Sequence, residues 1–293
     1  MANEKNNPDT ADRELRMSRL LRAPRELVWE VFTDPVYIVN WWGPDGFTNT
    51  IQTMQVKPGG EWQLIMHGPD GTDYKNKSIF REVVRLERIV YEHLSGPKFI
   101  ATIEFAQEGD YTRLHWHMLF ESAEELRQVV KVFKADEGLK QNVEKLAVYL
   151  NRQPVIVERL LNAPVARVWL AITEKGEMKN WYFDLAEFRA EPGFVFEFTG
   201  GADPGIQYVH ICEITEVVPE KKLSYSWRYK GYAGISYVSF ELFPQGEKTL
   251  LRLTHTGIDS FPVDNTDFAK HNFIMGWNQI ITVSLPAYVD VCH

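Results

Sequence analysis

The sequence predicts an α+β protein built from two tandem copies of one unit, each a run of antiparallel strands with segregated helices. Three observations carry this. A motif-rich segment recurs at a constant offset of 140 residues, period-two patterning fills the middle of each copy, and each copy ends in a long amphipathic helical stretch. At 293 residues the chain is twice the length of an ordinary domain, which agrees with two units.

The first part of the repeat runs without a gap. Leu20, Leu21, Ala23, Pro24, Val28, Trp29, Asn40 and Trp41 recur as Leu160, Leu161, Ala163, Pro164, Val168, Trp169, Asn180 and Trp181. Later segments match with shifted offsets, as loops of changed length require. VKPGGEW at 56–62 answers AEPGFVF at 190–196, and VVRLERIVY at 83–91 answers VVPEKKLSY at 217–225. EGDYTRLHWHM at 108–118 answers QGEKTLLRLTH at 245–255, and the closing stretches 137–150 and 275–289 correspond. The junction falls at NRQP, 151–154. The expected organisation is a disordered tail over 1–13, one unit over 14–152 and a second over 153–293.

The elements follow in order. Each unit opens with a short apolar strand, 14–21 and 155–161. Ala-Pro then starts a helix, with proline in the first turn, where a missing N–H costs nothing. Val28, Trp29 and Phe32 give that helix an apolar face. A second short helix leads into an aromatic pair, Trp41-Trp42 in NWWGPDGF and Trp181-Tyr182 in NWYFDLAEF. About six strands follow, separated by turn signals such as KPGG, HGPDGTD and FPQGE. Phe194, Phe196 and Phe198 share one strand face; Leu114, Trp116 and Met118 share another, with His115 and His117 opposite. A long amphipathic helix closes each unit, over about 122–150 and 265–290, and Pro286 should bend or end the second one early. A curved sheet gripping such a helix leaves a tunnel between them, a natural ligand cavity.

Composition narrows the function. The net charge of −8 argues against a nucleic-acid binder, which would carry a basic stripe, and against adsorption to anionic lipid. The two cysteines, Cys212 and Cys292, make no disulfide framework, so a reducing cytoplasm is the expected compartment. No signal peptide or membrane-spanning run is legible, so no membrane insertion is expected. His115 and His117 share a strand face, but the repeat places Arg252 and Thr254 there and no third ligand is evident, so neither a metal site nor a cofactor is expected. No G-x-S-x-G elbow, P-loop or G-x-G-x-x-G occurs.

The AP…VW start, the WW or WY pair, the PGG turn, LTHTGI at 253–258 and the closing GW…L helix occur together and in order. As a set they resemble the START-like or Bet-v-1-like helix-grip (SRPBCC) superfamily, and within it the branch named after the activator of heat-shock-protein-90 ATPase. The resemblance covers about 14–290, twice over. It implies tandem helix-grip domains, each holding an apolar or aromatic small molecule between sheet and C-terminal helix. The superfamily also hosts polyketide cyclases, hydrolases and chaperone partners, which leaves an enzyme and a protein-interaction module as alternatives. In the eukaryotic co-chaperone a separate N-terminal domain stimulates the ATPase. Here the first unit is a second helix-grip copy, so that stimulating part is not expected.

The ligand-cavity candidates are the bulky residues of these motifs and of the strands. In the first unit they are Trp41, Trp42, Trp62, Trp116 and Met118. In the second they are Trp181, Tyr182, Phe196, Tyr225, Trp227, Tyr237, His255 and Trp277. One member of each aromatic pair is expected to pack inward rather than line a cavity. His255 should face the helix, either as a hydrogen-bonded core histidine or as a general base or ligand anchor. An enzyme reading would use it with Tyr225 or Tyr237; no catalytic residue is assigned, and a binding protein is expected over an enzyme. Met118 matches His255, and Gly138 or Leu139 lies where Trp277 stands. An apolar first tunnel and a more polar, functional second tunnel are therefore expected, in a monomer whose two halves form an internal pseudo-dimer.

Overall fold

The computed structural model describes residues 10–201 and 205–290. Its backbone divides into unit 1, Met1–Asn151, and unit 2, Arg152–His293.

Unit 1 holds seven strands: β1 (Glu14–Leu21), β2 (Thr48–Met54), β3 (Glu61–His67), β4 (Asp73–Val84), β5 (Arg88–His93), β6 (Phe99–Glu108) and β7 (Tyr111–Phe120). They form one antiparallel sheet in the order β1-β7-β6-β5-β4-β3-β2. Helices α1 (Arg25–Thr33) and α2 (Pro35–Ile38) lie between β1 and β2; α3 (Ala123–Phe133) and α4 (Ala135–Arg152) follow β7. Unit 2 repeats the plan with six strands: β8 (Val155–Leu161), β9 (Val195–Gly201), β10 (Gln207–Val218), β11 (Lys222–Tyr229), β12 (Ser236–Gln245) and β13 (Lys248–Thr256). Their order is β8-β13-β12-β11-β10-β9. Helices α5 (Val165–Thr173) and α6 (Lys175–Met178) follow β8, and α7 (Lys270–Asn278), a π-helical segment (Gln279–Ser284) and α8 (Leu285–Val289) close the unit.

The repeated residues make repeated bonds. Pro24 and Pro164 sit one residue before their helices, at the N-cap rather than in the first turn, and their carbonyls accept the N–H of Val28 and Val168. Thr112 and Thr249, both fully buried, donate to the Ala23 and Ala163 carbonyls at 2.8 and 2.9 Å, tying each Ala-Pro turn to the last strand. Trp41 and Trp181 each donate an indole N–H back to the first helix, at the Val31 and Ala171 carbonyls. Asn40 and Asn180 donate to carbonyls of α2 and α6. Gly59 and Gly193 take φ of +78° and +87°, which a side chain would strain. Their N–H groups bond the carbonyls of Phe80 and Ile214, where β4 and β10 carry matching register shifts. A bulge thus falls at the same place in both copies, where it bends the strand that carries it.

Three expectations are corrected. Residues 10–13 are ordered: Ala11–Arg13 form a 3₁₀ turn, and Arg13 donates to the Phe120 and Glu121 carbonyls. The rest of the expected tail, 1–9, lies outside the described residues, as does Cys292. The single helix expected over 122–150 breaks at Lys134, whose φ of +50° is left-handed. The bend lets Val129 on α3 and Leu139, Val143 and Leu146 on α4 all reach the core. Pro286 does not end the second closing helix, which starts at Lys270 and continues to Val289. The π-helical turns just before it change the bonding register where a proline would otherwise meet the carbonyl four residues back.

Candidate functional site

Unit 1 contains a cavity of about 690 Å³ between its sheet and its closing helices. Alternation along the strands aims Trp62, Leu64 and Met66 of β3, Tyr91 and His93 of β5, and Trp116, Met118 and Phe120 of β7 at it. Val129, Leu139 and Asn142 line it from the helical side, and Trp42 from the aromatic turn. The Trp42 ring lies 4.6 Å from Trp62 and 5.4 Å from Trp116, so three indoles form one wall. Phe32 stands behind Trp42 and Trp116 at 6.1 and 5.6 Å. The indole N–H groups of Trp62 and Trp116 are buried and have no acceptor within the protein.

One part of the wall is polar. His93 stacks on Phe99 at 4.7 Å, with Nδ1 2.8 Å from the Pro97 carbonyl and Nε2 2.9 Å from Asn76 Oδ1. Burial pushes the His93 pKa down, opposed by hydrogen bonds to backbone carbonyls. The Gly-Pro-Asp-Gly turn is pinned to α4: Gly43 N–H donates to Asn142 Oδ1 at 3.0 Å, and Lys145 Nζ donates to the Gly43 and Pro44 carbonyls. Phe133, 61% exposed, borders the cavity and marks its mouth.

Unit 2 has a smaller cavity of about 390 Å³, lined by Phe183, Tyr208, His210, Trp227, Tyr229, Phe268, Phe273 and Trp277. His210 lies flat on Phe198 at 4.3 Å, and burial pushes its pKa down to about 4. Tyr208 donates to Asp267 Oδ2 at 2.6 Å. The size difference has a local cause. Trp277 stands parallel to Tyr182 at 6.3 Å and edge-on to Trp227 at 5.6 Å, where unit 1 has the smaller buried Leu139. The second cavity is the more polar of the two, as expected, while the roomier is the first, whose polar groups are His93, Asn76 and Asn142.

The candidates separate accordingly. Trp42, Trp62, Trp116 and Met118 come together on the unit 1 cavity, and Trp227 and Trp277 on that of unit 2. Trp41 and Trp181 are the inward members of their pairs, spent on backbone bonds to the first helix. Tyr182 and Tyr225 join hydroxyls at 3.0 Å, Phe196 packs on Tyr225 at 5.4 Å, and none of the three lines the cavity. Tyr237 is misplaced by the sequence reading: it is 47% exposed, because its β12 neighbours Ser236 and Val238 take the inward positions.

His255 is fully buried and fully bonded. Trp277 Nε1 donates to His255 Nδ1 at 2.9 Å, which places the ring proton on Nε2, 2.7 Å from Ser236 Oγ. Burial pushes its pKa down to about 3. The sequence reading passed over Tyr91, His93 and Phe99, which line the unit 1 cavity. The inward parity of β5 was the available signal. His117 lies 3.3 Å from Glu14, and among the described residues no three His, Cys, Asp or Glu side chains are placed to hold a metal ion. Among the described residues no helix is long and apolar enough to cross a membrane.

Two antiparallel sheets, each folded on a closing helix with a cavity between, define a chain of tandem α+β helix-grip units. The family of Activator of Hsp90 ATPase homolog 1-like proteins matches residues 22–151 and 162–290, and the chain belongs to it. Solved structures similar to it include a structural-genomics protein from Mesorhizobium loti, 30% identical over 48% of this chain and 99% of that one, with a TM-score of 0.41. Another, from Nitrosomonas europaea, is 21% identical over 48% of this chain and 95% of its own, with a TM-score of 0.44. DynU16, a protein of the dynemicin biosynthetic locus, is 17% identical over 95% of this chain and 98% of its own, with a TM-score of 0.38. No curated protein matches the chain in sequence.

Proposed function

We propose that the chain is a binding protein that holds an apolar or aromatic small molecule in the unit 1 cavity. One observation carries this reading: a cavity of about 690 Å³ walled by Trp42, Trp62 and Trp116. That volume falls within the roughly 300–1,000 Å³ of small-molecule sites, and an apolar wall with a few polar groups is their usual make-up. The cyclase- or hydrolase-like alternative would use His255 with Tyr225 or Tyr237. His255 and Tyr225 spend their polar atoms on Trp277, Ser236 and Tyr182, and Tyr237 is on the outer face. No comparable observation favours a protein partner.

Native mass spectrometry tests the proposal on the freshly purified full chain, with and without N-phenyl-1-naphthylamine, a neutral apolar probe. A discrete added mass that is lost on denaturation supports it. A chain that carries nothing and takes up no probe up to the probe's solubility overturns it.

A further inference from the structure

The unit 2 cavity, of about 390 Å³, differs from the first in the charge of its wall. Lys75 and Lys134 border the unit 1 cavity beside Asp73 and Glu137, so both signs meet at its edge. Among the described residues that line the unit 2 cavity, Asp267 is the one Asp, Glu, Lys or Arg. His210 adds no positive charge, because burial holds it neutral, with a pKa of about 4. Aromatic side chains make up most of the remaining wall.

Asp267 is fixed by its neighbours and open to solvent. In unit 2 the last strand is followed by two 3₁₀ turns, where in unit 1 it is followed by α3, and the second of these turns, Thr266–Phe268, carries Asp267. Asn265 Oδ1 accepts the Asp267 N–H at 3.0 Å, and Asn272 Nδ2 donates to the Asp267 carbonyl at 3.0 Å. Tyr208 donates to Oδ2 at 2.6 Å. The residue is exposed, and among the described residues no donor meets Oδ1. Rings lead inward from this carboxylate. The Tyr208 ring lies 5.0 Å from Phe268 and 5.8 Å from Tyr229. Tyr229 continues to Trp227 at 6.3 Å, and Trp227 to Trp277 at 5.6 Å. All five rings line the cavity. Alternation along β10 and β11 turns Tyr208, Trp227 and Tyr229 inward. Aromatic surface beside a single carboxylate favours a cation with an apolar body, and an anion finds no counter-charge in this wall.

We propose that the unit 2 cavity is a second binding site, for an organic cation: a quaternary or protonated amine with a body the size of one ring, its charged head beside Asp267 and its body against the rings that follow. Unit 1 lacks the turn that carries this carboxylate, so the two cavities differ in ligand class as well as in size. The site is separate from the unit 1 cavity, and no bond is made or broken in it.

The test uses benzyltrimethylammonium and neopentylbenzene, which share a shape and differ in whether the branching atom is a charged nitrogen or a neutral carbon. Each is dialysed to equilibrium against the full chain, wild type and Asp267→Asn, at one ionic strength. Asparagine keeps the side-chain shape and an oxygen for the Tyr208 hydroxyl. The cation binds the wild type saturably, and its affinity falls about fivefold in Asp267→Asn, which is about 1 kcal/mol, the upper range for a solvent-exposed ion pair. The hydrocarbon binds both proteins alike. Hydrocarbon taken up by the unit 1 cavity is the same in both proteins, so it does not imitate the effect. A cation affinity unchanged in Asp267→Asn overturns the inference. An equal fall for both probes also overturns it, because Asp267 then shapes the cavity without reading charge. Absence of saturable cation binding by the wild type at millimolar concentration overturns it as well. Each of these outcomes leaves the unit 1 reading standing, since that reading is tested with N-phenyl-1-naphthylamine.

Discussion

The His255 network makes unit 2 acid-sensitive in a way that can be worked out in advance. Trp277 N–H occupies His255 Nδ1, and the proton on Nε2 faces Ser236 Oγ, so a second ring proton has no acceptor to meet. The folded pKa of about 3 lies far below the ordinary histidine value of about 6.5. As pH falls below about 6.5 the unfolded chain takes up a proton that the folded chain refuses, so stability present above that pH is lost progressively down to about 3. Each pH unit costs about 1.4 kcal/mol, or about 2 kcal/mol between pH 7 and 5 for this one group. His210, at about 4, adds a similar loss over most of that interval. A combined loss of about 4 kcal/mol is large against a domain stability of roughly 5–15 kcal/mol. The assay is guanidinium unfolding at pH 7, 6 and 5, with hydrogen exchange of β12 and β13 peptides identifying the unit 2 transition. His255→Met, which installs the residue found at the matching place in unit 1, removes one proton from the linkage. The slope of unfolding free energy against pH should fall by about 1.4 kcal/mol per unit, whatever the variant loses in absolute stability. An unchanged slope refutes the neutral, proton-refusing histidine.

Three further expectations are simpler. Thr112→Val keeps the shape but removes the donor to the buried Ala23 carbonyl, and should cost about 1–3 kcal/mol in a denaturant titration; an unchanged midpoint contradicts the bond. Phe32→Ala removes a ring packed against Trp41, Trp42, Phe105 and Trp116, and should cost about 3–5 kcal/mol while weakening probe binding by loosening the wall. Tyr237→Ala, on the outer face, should shift stability by no more than about 0.5 kcal/mol and leave probe binding alone; a loss of binding would return Tyr237 to the site.

The fold was legible because duplication prints each structural residue twice. Asn40-Trp41 and Asn180-Trp181 recur because each pair bonds the short helices in the same way, a constraint that survives divergence. The break at Lys134 left no trace, since neither glycine nor proline marks it and the helical charge pattern runs through. Pro286 misled for the opposite reason: its local rule was right, but the π-helical turns that accommodate it have no sequence signature. The site was half legible. Period-two patterning gave Trp116 and Met118 their common face, but it cannot say which face of a strand is inward, and Tyr237 fell on the wrong one. Cavity size was beyond reach. It depends on whether the closing helix presents Trp277 or Leu139 to the sheet, together with the stacking of Tyr182 and the bonding of His255.

That same difference offers the most direct test that the unit 1 cavity is the binding site. Leu139 is buried, lines the cavity and stands where unit 2 has Trp277, so Leu139→Trp puts a larger side chain at that place. N-phenyl-1-naphthylamine is titrated into wild type and Leu139→Trp, with unfolding midpoints measured in parallel. The account predicts saturable binding by the wild type and its loss in a variant that remains folded. Equal binding by the two folded proteins would contradict it.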